Sequence, residues 1–312
     1  MFVLDMENVL VLMSTYNSGD YLKEQIDSIF SQNNVNVHLL IRDDGSKNST
    51  VDTIKSLMNK YRGITLIEGD NMGFAASFMS LVYEAYKFND YQYFAFADHD
   101  DVWLPDKLEK AIEKLEDEDS LIPLLYFSNA NVVDSDLNYM RTLLGASDRT
   151  PDKYSVLMKY YMLGCTMVMN YSTISLLYKY RPNSQIQMHD LWIAQTCVYL
   201  GKVVYDRNSY ILYRQHGNNA AGVGSSLRVR VKRFIKSFKT YPRRHFRELN
   251  AKNLLETYSY LLSSSDKSII SFIADYRCSM YNRLRLLKHK NFIMGSFLSD
   301  FMIKWRIIMG FL

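Results

Sequence analysis

Three aspartates surround a histidine in FADHDDVW, residues 96–103, directly behind the apolar run YQYFAF. Like charges at that density repel one another and a fold does not need them there, so a bound cation is the chemistry to expect. Along an extended chain residues i and i+2 point the same way, which lets Asp98 and Asp100 present carboxylates to one site. Hard oxygen donors on a loop suit Mg²⁺ or Mn²⁺, which commonly bridge to phosphate oxygens. Asp101 reads as a helix-entry residue, and His99 either tunes the site or fills the gap between two carboxylates. A second acidic pair, Asp43 and Asp44 in DDGSKNST, closes another apolar run. Asp-Gly is a turn signal, and a carboxylate there is placed to accept hydrogen bonds from a nucleotide's base or ribose.

The elements that must position these acids alternate. Strands are expected at 9–14, 37–43, 64–69 and 93–98, with helices near 20–31, over TVDTIKSLMNKY, from Ala75 to Phe88 and over DKLEKAIEKLED. Pro105 sits in the first turn of the last of these, where its missing N–H costs nothing. Such alternation gives a mainly parallel, mixed α/β sheet with helices on both faces, and ligands bind beyond the carboxyl ends of its strands. The loops there, TYNSGD, DDGSKNST and DHDDVW, are the polar ones. Residues 121–220 continue in a mixed pattern, GNNAAGVGSS reads as a hinge, and the chain beyond is helical and basic. The division predicted is therefore 1–220 catalytic and 221–312 helical.

Bulk composition narrows the class. With 312 residues, 48% of them hydrophobic, the chain buries a sizeable core, and an aromatic share of 14% suits either ring-shaped ligands or a Tyr-rich interior. Net charge is only +4, yet no Asp or Glu occurs from Arg207 to Arg247. Cys165, Cys197 and Cys278 are odd in number and widely spaced, against a disulfide framework or structural zinc. No signal peptide or membrane-spanning run is read, which predicts a cytoplasmic protein.

Taken in order, VLMSTYNSGDYLKEQIDSIFSQ, LLIRDDGSKNST, GDNMGFAASF, FAFADHDDVWLPDKLEKA, MHDLWI and YRQHGNN resemble the successive motifs of family 2 glycosyltransferases, over roughly residues 8–220. The bacterial rhamnosyltransferase-like subgroup is the nearest likeness. The resemblance implies a GT-A fold, a nucleotide-diphosphate sugar donor (dTDP-rhamnose among the candidates), a divalent metal and inversion at the anomeric centre. It also implies roles. Thr15, Tyr16 and Asn17 would lie beside the nucleotide, and Asp43 or Asp44 would hold the base. Asp98 would face ribose or metal, Asp100 would be the main metal ligand, and His216 would complete the metal or diphosphate site. Asp190 matches the general base, with a helix N-cap as its other reading; Gly164, Cys165 and Trp192 would line the acceptor side. His99 stands where Gln or a small residue is more usual, and His189 where many members have Glu.

Two stretches extend past these motifs. LRVRVKRFIKSFKTYPRRHFR and FIMGSFLSDFMIKWRIIMGFL interleave apolar and basic residues, as expected of helices on an anionic membrane surface, or of helices packed on the catalytic domain or a second copy. No recognised nucleic-acid motif is present. The predicted protein extends a lipid-linked saccharide in bacterial cell-surface polysaccharide synthesis, as a peripheral enzyme on the inner membrane face. A nucleotidyltransferase is the competing enzyme, although TYNSGDYLKEQ is a poor triphosphate loop; a non-catalytic membrane-associated scaffold is the other alternative.

Overall fold

The computed structural model describes residues 6–145, 150–216, 245–292 and 297–312. Within it the chain forms two units, one of Met1–Thr150, Tyr161–Arg181 and Ile186–Gly217, the other of Pro151–Tyr160, Pro182–Gln185 and Asn218–Leu312. The basic stretch from 227 to 244 lies outside the described residues.

The first unit carries a nine-stranded sheet. Its early half follows the apolar periodicity. Strands β1 (Glu7–Thr15), β2 (Val35–Asp43), β3 (Ile64–Glu68) and β4 (Tyr93–Ala97) alternate with helices α1 (Tyr21–Ile29), α2 (Thr50–Lys60) and α3 (Phe74–Ala85). β1 pairs in parallel with β2 and β4, and β2 with β3. Val9 to Met13 are fully buried, as a central parallel strand covered on both faces must be. Register then fixes the site, because Thr15 lies opposite Asp43 and Met13 opposite Ala97. The carboxyl ends of β1, β2 and β4 therefore finish at nearly one level, with Asp98 the next residue along.

The later half reverses direction. β6 (Leu124–Val133) pairs antiparallel with the short β7 (Tyr139–Thr142) and with β8 (Met167–Asn170), which also runs antiparallel to β4, and β9 (Lys202–Arg214) returns parallel to β6. Beyond Asp101 the chain makes a two-residue strand, β5 (Val102–Trp103), antiparallel to Ile211 and Leu212 of β9. That short pairing brings the end of β9 against the acidic loop. Helix α4 (Lys107–Glu116) follows, burying Leu108, Ala111, Ile112 and Leu115 along one stripe. Helix α6 (Tyr171–Lys179) is capped by the Asn170 side chain, and α7 (His189–Leu200) is buried almost throughout.

The second unit is helical, with the short α5 (Ser155–Met158) and helices Phe246–Thr257, Ser264–Ala274, Met280–Lys288 and Phe297–Met309. Ser263 and Ser279 cap the middle two. Buried Glu248 accepts from Lys252 at 2.7 Å and from Arg277 at 2.5 Å, and these partners hold its carboxyl below the usual range against the opposing effect of burial. No helix among the described residues is long and apolar enough to cross a membrane.

Candidate active site

Thr15, at the end of β1, donates its hydroxyl to Asp43 Oδ2 at 2.9 Å across the strand pair. Asp43 also takes the backbone amide and hydroxyl of Ser46, at 2.8 and 2.6 Å. Asn17 adopts φ +48 and binds both Ser46 and the Lys47 amide, so the two loops are laced together. Tyr16 stands exposed between them. Asp44 faces elsewhere. It pairs with the buried Arg42 guanidinium and accepts the amides of Met72 and Gly73 at 3.0 and 2.9 Å. Asp43 thus meets only neutral donors, whereas Asp44 is neutralised inside the protein.

The acidic loop splits into two groups. Asp100 reaches outward to His216, whose Nε2 lies 2.8 Å from Oδ2. Asp98, Asp101 and Cys165 form a second cluster, their ligand atoms all within 4.8 Å of one another, and Asp98 also lies near enough to Asp100 and Asp190 to feel their charge. Burial pushes Asp98 up to about 7, with Asp100 and Asp190 adding like charge and a Cys165 hydrogen bond opposing them. Burial also raises Asp101 well above the carboxylate range, helped by Asp98 and Asp100. His99 is hydrogen-bonded to the Ser14 backbone, and burial lowers its pKa, so it tethers the loop to β1 as a neutral ring.

Arg214 holds this loop from β9. Its amide donates to Asp101 at 3.0 Å and its Nε to the Asp100 carbonyl at 2.9 Å, while its guanidinium pairs with Glu24 and lies 4.2 Å from the Tyr21 ring. Lys107 is buried below, its Nζ 3.9 Å from the Trp103 ring centroid, and burial pulls it down to about 7. Neither belongs to the sequence-predicted set. Arg214 is the last residue of β9, two before His216 in the YRQHGNN motif, and that nearness is the only signal that could have found it; nothing in DKLEK marks Lys107 as buried.

Asp190 lies in the first turn of α7, 4% exposed, and accepts the Leu191 amide at 2.8 Å. The N-cap is Met188, so the capping reading of Asp190 fails. His189 stacks on Phe78 at 4.1 Å and meets Phe96 edge-on at 5.1 Å, with burial keeping it neutral. Gly164 makes that packing feasible. A Cβ there would sit 2.8 Å from His189 Nε2 and 3.6 Å from Asp190 Cβ.

Comparison with known proteins completes this geometry. The family model described as Glycosyl transferase family 2 matches residues 10–176, more than half of the chain. The chain belongs to that family. This glycosyltransferase is 28% identical over 236 residues to the dTDP-rhamnosyl transferase RfbG of Shigella flexneri, covering 71% of this chain and 77% of that one. It is also 28% identical over 165 residues to the UDP-Glc:alpha-D-GlcNAc-diphosphoundecaprenol beta-1,3-glucosyltransferase WfaP of Escherichia coli, covering 52% of this chain and 60% of that one. The crystal structure of S. aureus TarS 1-349 in complex with UDP-GlcNAc superposes with a TM-score of 0.56 at 13% identity, covering 90% of this chain and 78% of that chain. At that identity the likeness establishes the fold, which is GT-A. The nucleotidyltransferase and scaffold alternatives fall to the family match.

In the glycosyltransferase, then, Thr15, Tyr16, Asn17, Asp43, Asp98, Asp100 and His216 stand at or just beyond the strand ends, while Asp190 stands in the first turn of α7. Three expectations need correction. Trp192 is fully buried and packs in the core, so it lines no acceptor surface. Cys165 is equally buried and faces Asp98 and Asp101 from beneath. Asp101 is a buried anchor for Arg214; the helix it was expected to enter is preceded by Asp106. For a hard divalent cation the donors divide by chemistry. Asp100 and His216, with Asp98, supply carboxylate oxygen and imidazole of the kind Mg²⁺ or Mn²⁺ accepts, whereas the Cys165 thiol is too soft for either.

Proposed function

We propose that this glycosyltransferase moves a sugar from a nucleotide-diphosphate donor to a hydroxyl of a lipid-linked saccharide in bacterial surface polysaccharide synthesis, inverting the anomeric centre. The observation carrying this reading is the acidic loop just past β4, where Asp98 follows the strand and Asp100 Oδ2 lies 2.8 Å from His216 Nε2. The RfbG likeness favours dTDP-rhamnose as donor, and the WfaP likeness a diphosphate-linked lipid acceptor.

Each side chain then has a task. Asp43, which meets only neutral partners, receives the nucleotide base, with Thr15, Tyr16 and Asn17 along the same edge. Asp100, Asp98 and His216 would hold Mg²⁺ or Mn²⁺, which when bound neutralises charge on the diphosphate leaving group. Asp190 takes the proton of the acceptor hydroxyl as that oxygen attacks the face opposite the diphosphate. Arg214 and His99 keep the acidic loop at the height of the strand ends. The enzyme works at the cytoplasmic face of the membrane, where 1–220 forms the catalytic part and the helical remainder meets an anionic surface.

The test is a nucleotide-sugar panel that includes dTDP-rhamnose and UDP-glucose, with Mg²⁺ or Mn²⁺, following nucleotide-diphosphate release with and without acceptor glycolipid. Asp190→Asn is expected to lower transfer by about 10²–10⁴-fold while donor binding stays nearly intact. Loss of donor binding would give Asp190 another role. Donor turnover unaffected by Asp100→Ala would defeat the placement of the cation.

A further inference from the structure

The segment leading into α3 is held by more than its loop position requires. The Asp44 carboxylate takes the amides of Met72 and Gly73, and its partner Arg42 donates to the Asp70 carbonyl at 2.9 Å and to Ser77 at 3.1 Å. Gly73 turns at φ +83, a conformation that favours glycine. A buried ion pair therefore clamps Asp70 to Gly73. The side chains it delivers are apolar and open to solvent, Met72 just ahead of α3 at 44% exposure and Phe74 at its first turn at 54%, while the helix buries Ala75, Phe78 and Met79. The Phe74 ring stands edge-to-face with His189 at 6.3 Å, and His189 directly precedes Asp190. Single exposed apolar residues are ordinary on any surface. Here the backbone that carries the pair is fixed by a buried guanidinium–carboxylate contact, and the Phe74 ring touches the residue preceding the proposed base, which makes a built ledge.

We propose that Met72 and Phe74 form the platform on which the acceptor's sugar ring lies, its reacting hydroxyl turned toward Asp190. This rests on the reading of Asp190 as the base. A pyranose presents one face of C–H bonds carrying slight positive charge, which matches the negative face of an aromatic ring. Because the ledge is set before binding, little ordering is lost when the ring docks. Asp44 becomes the anchor of the acceptor platform, and the donor is left to Asp43. The two adjacent aspartates of DDGS thus serve opposite substrates.

The probes are methyl glycosides of rhamnose, glucose and N-acetylglucosamine. They are titrated into the full-length protein saturated with UDP or dTDP, and binding is read by saturation-transfer NMR, with nucleotide affinity measured separately by calorimetry. At least one glycoside is expected to bind wild type. Phe74→Ala should weaken it roughly three- to tenfold and Phe74→Tyr by less than about twofold, with nucleotide affinity unchanged in both. Equal glycoside affinity in wild type and Phe74→Ala overturns the proposal, as does the failure of every glycoside to bind wild type. A fall in nucleotide affinity with Phe74→Ala also overturns it, by moving the ring to the donor side. Failure of the base reading appears separately, as an Asp190→Asn variant that transfers normally while glycosides still depend on Phe74.

Discussion

Asp190 owes its position to a residue with no side chain. Gly164 lets His189 approach until any Cβ there would be 2.8 Å from Nε2, and His189 in turn lies flat on Phe78. Gly164→Ala must displace that ring or the turn, at a cost of about 1–3 kcal/mol by the usual penalty for overpacking. The expected signature is a fall in transfer rate larger than any change in donor affinity, since Asp43 and Asp100 are untouched. A Gly164→Ala enzyme with wild-type turnover and denaturation midpoint would show that the close contact does not constrain Asp190. At this scale the sequence located Asp43, Asp44, Asp98, Asp100, Asp190 and His216 by motif, but could not divide Asp43 from Asp44. The division depends on Arg42, whose guanidinium turns back to Asp44 only because β2 and α3 pack together.

Strands β1 to β4 were legible because apolar runs of that length, separated by helical stripes, have few ways to be buried. His38 shows how tightly they are joined. On β2 its ring nitrogens lie 2.8 Å from both Tyr91 Oη and Thr65 Oγ1 of β3, and burial lowers its pKa below 6.5. The unfolded chain therefore takes up a proton on this group at a pH where the folded one does not. Stability present above pH 6.5 is lost as pH falls through that value toward the folded pKa. Urea denaturation at pH 7.5 and 5.5 should show a smaller pH difference for His38→Gln than for wild type; equal differences would mean that His38 titrates normally in the fold. The later strands were not legible in this way. β8 and β6 run antiparallel, and β5 has only two residues, too short to carry a periodic signal.

Across the whole molecule, the last two helices carry an unusual outward face. Helix Met280–Lys288 exposes Tyr281, Leu284 and Lys288, and helix Phe297–Met309 exposes Phe301, Lys304 and Ile308. Their inward residues Leu286, Ile303 and Ile307 are buried, so both helices pack on one side and present aromatic, aliphatic and cationic groups on the other. Apolar groups among cations suit an anionic lipid surface at the depth of the headgroups. Replacing Leu284, Phe301 and Ile308 together by Ser in the full chain should reduce co-sedimentation with vesicles containing an anionic lipid, while nucleotide binding is retained. Equal co-sedimentation, or none with wild type, would show that this face does not bind lipid.

The sequence by itself determined the family, the parallel start of the sheet and the acids that end its strands, because these are local: runs of apolar residues, and carboxylates where burial without a partner would be costly. Only the tertiary structure decided how those acids are shared out. The β5–β9 pairing brings Arg214 and His216 against residues more than a hundred positions earlier. It thereby turns Asp100 outward to His216 and Asp101 inward to the Arg214 amide. Tertiary packing likewise buried Trp192 and Cys165 in the core, since a residue's exposure depends on what packs over it and not on the motif that contains it.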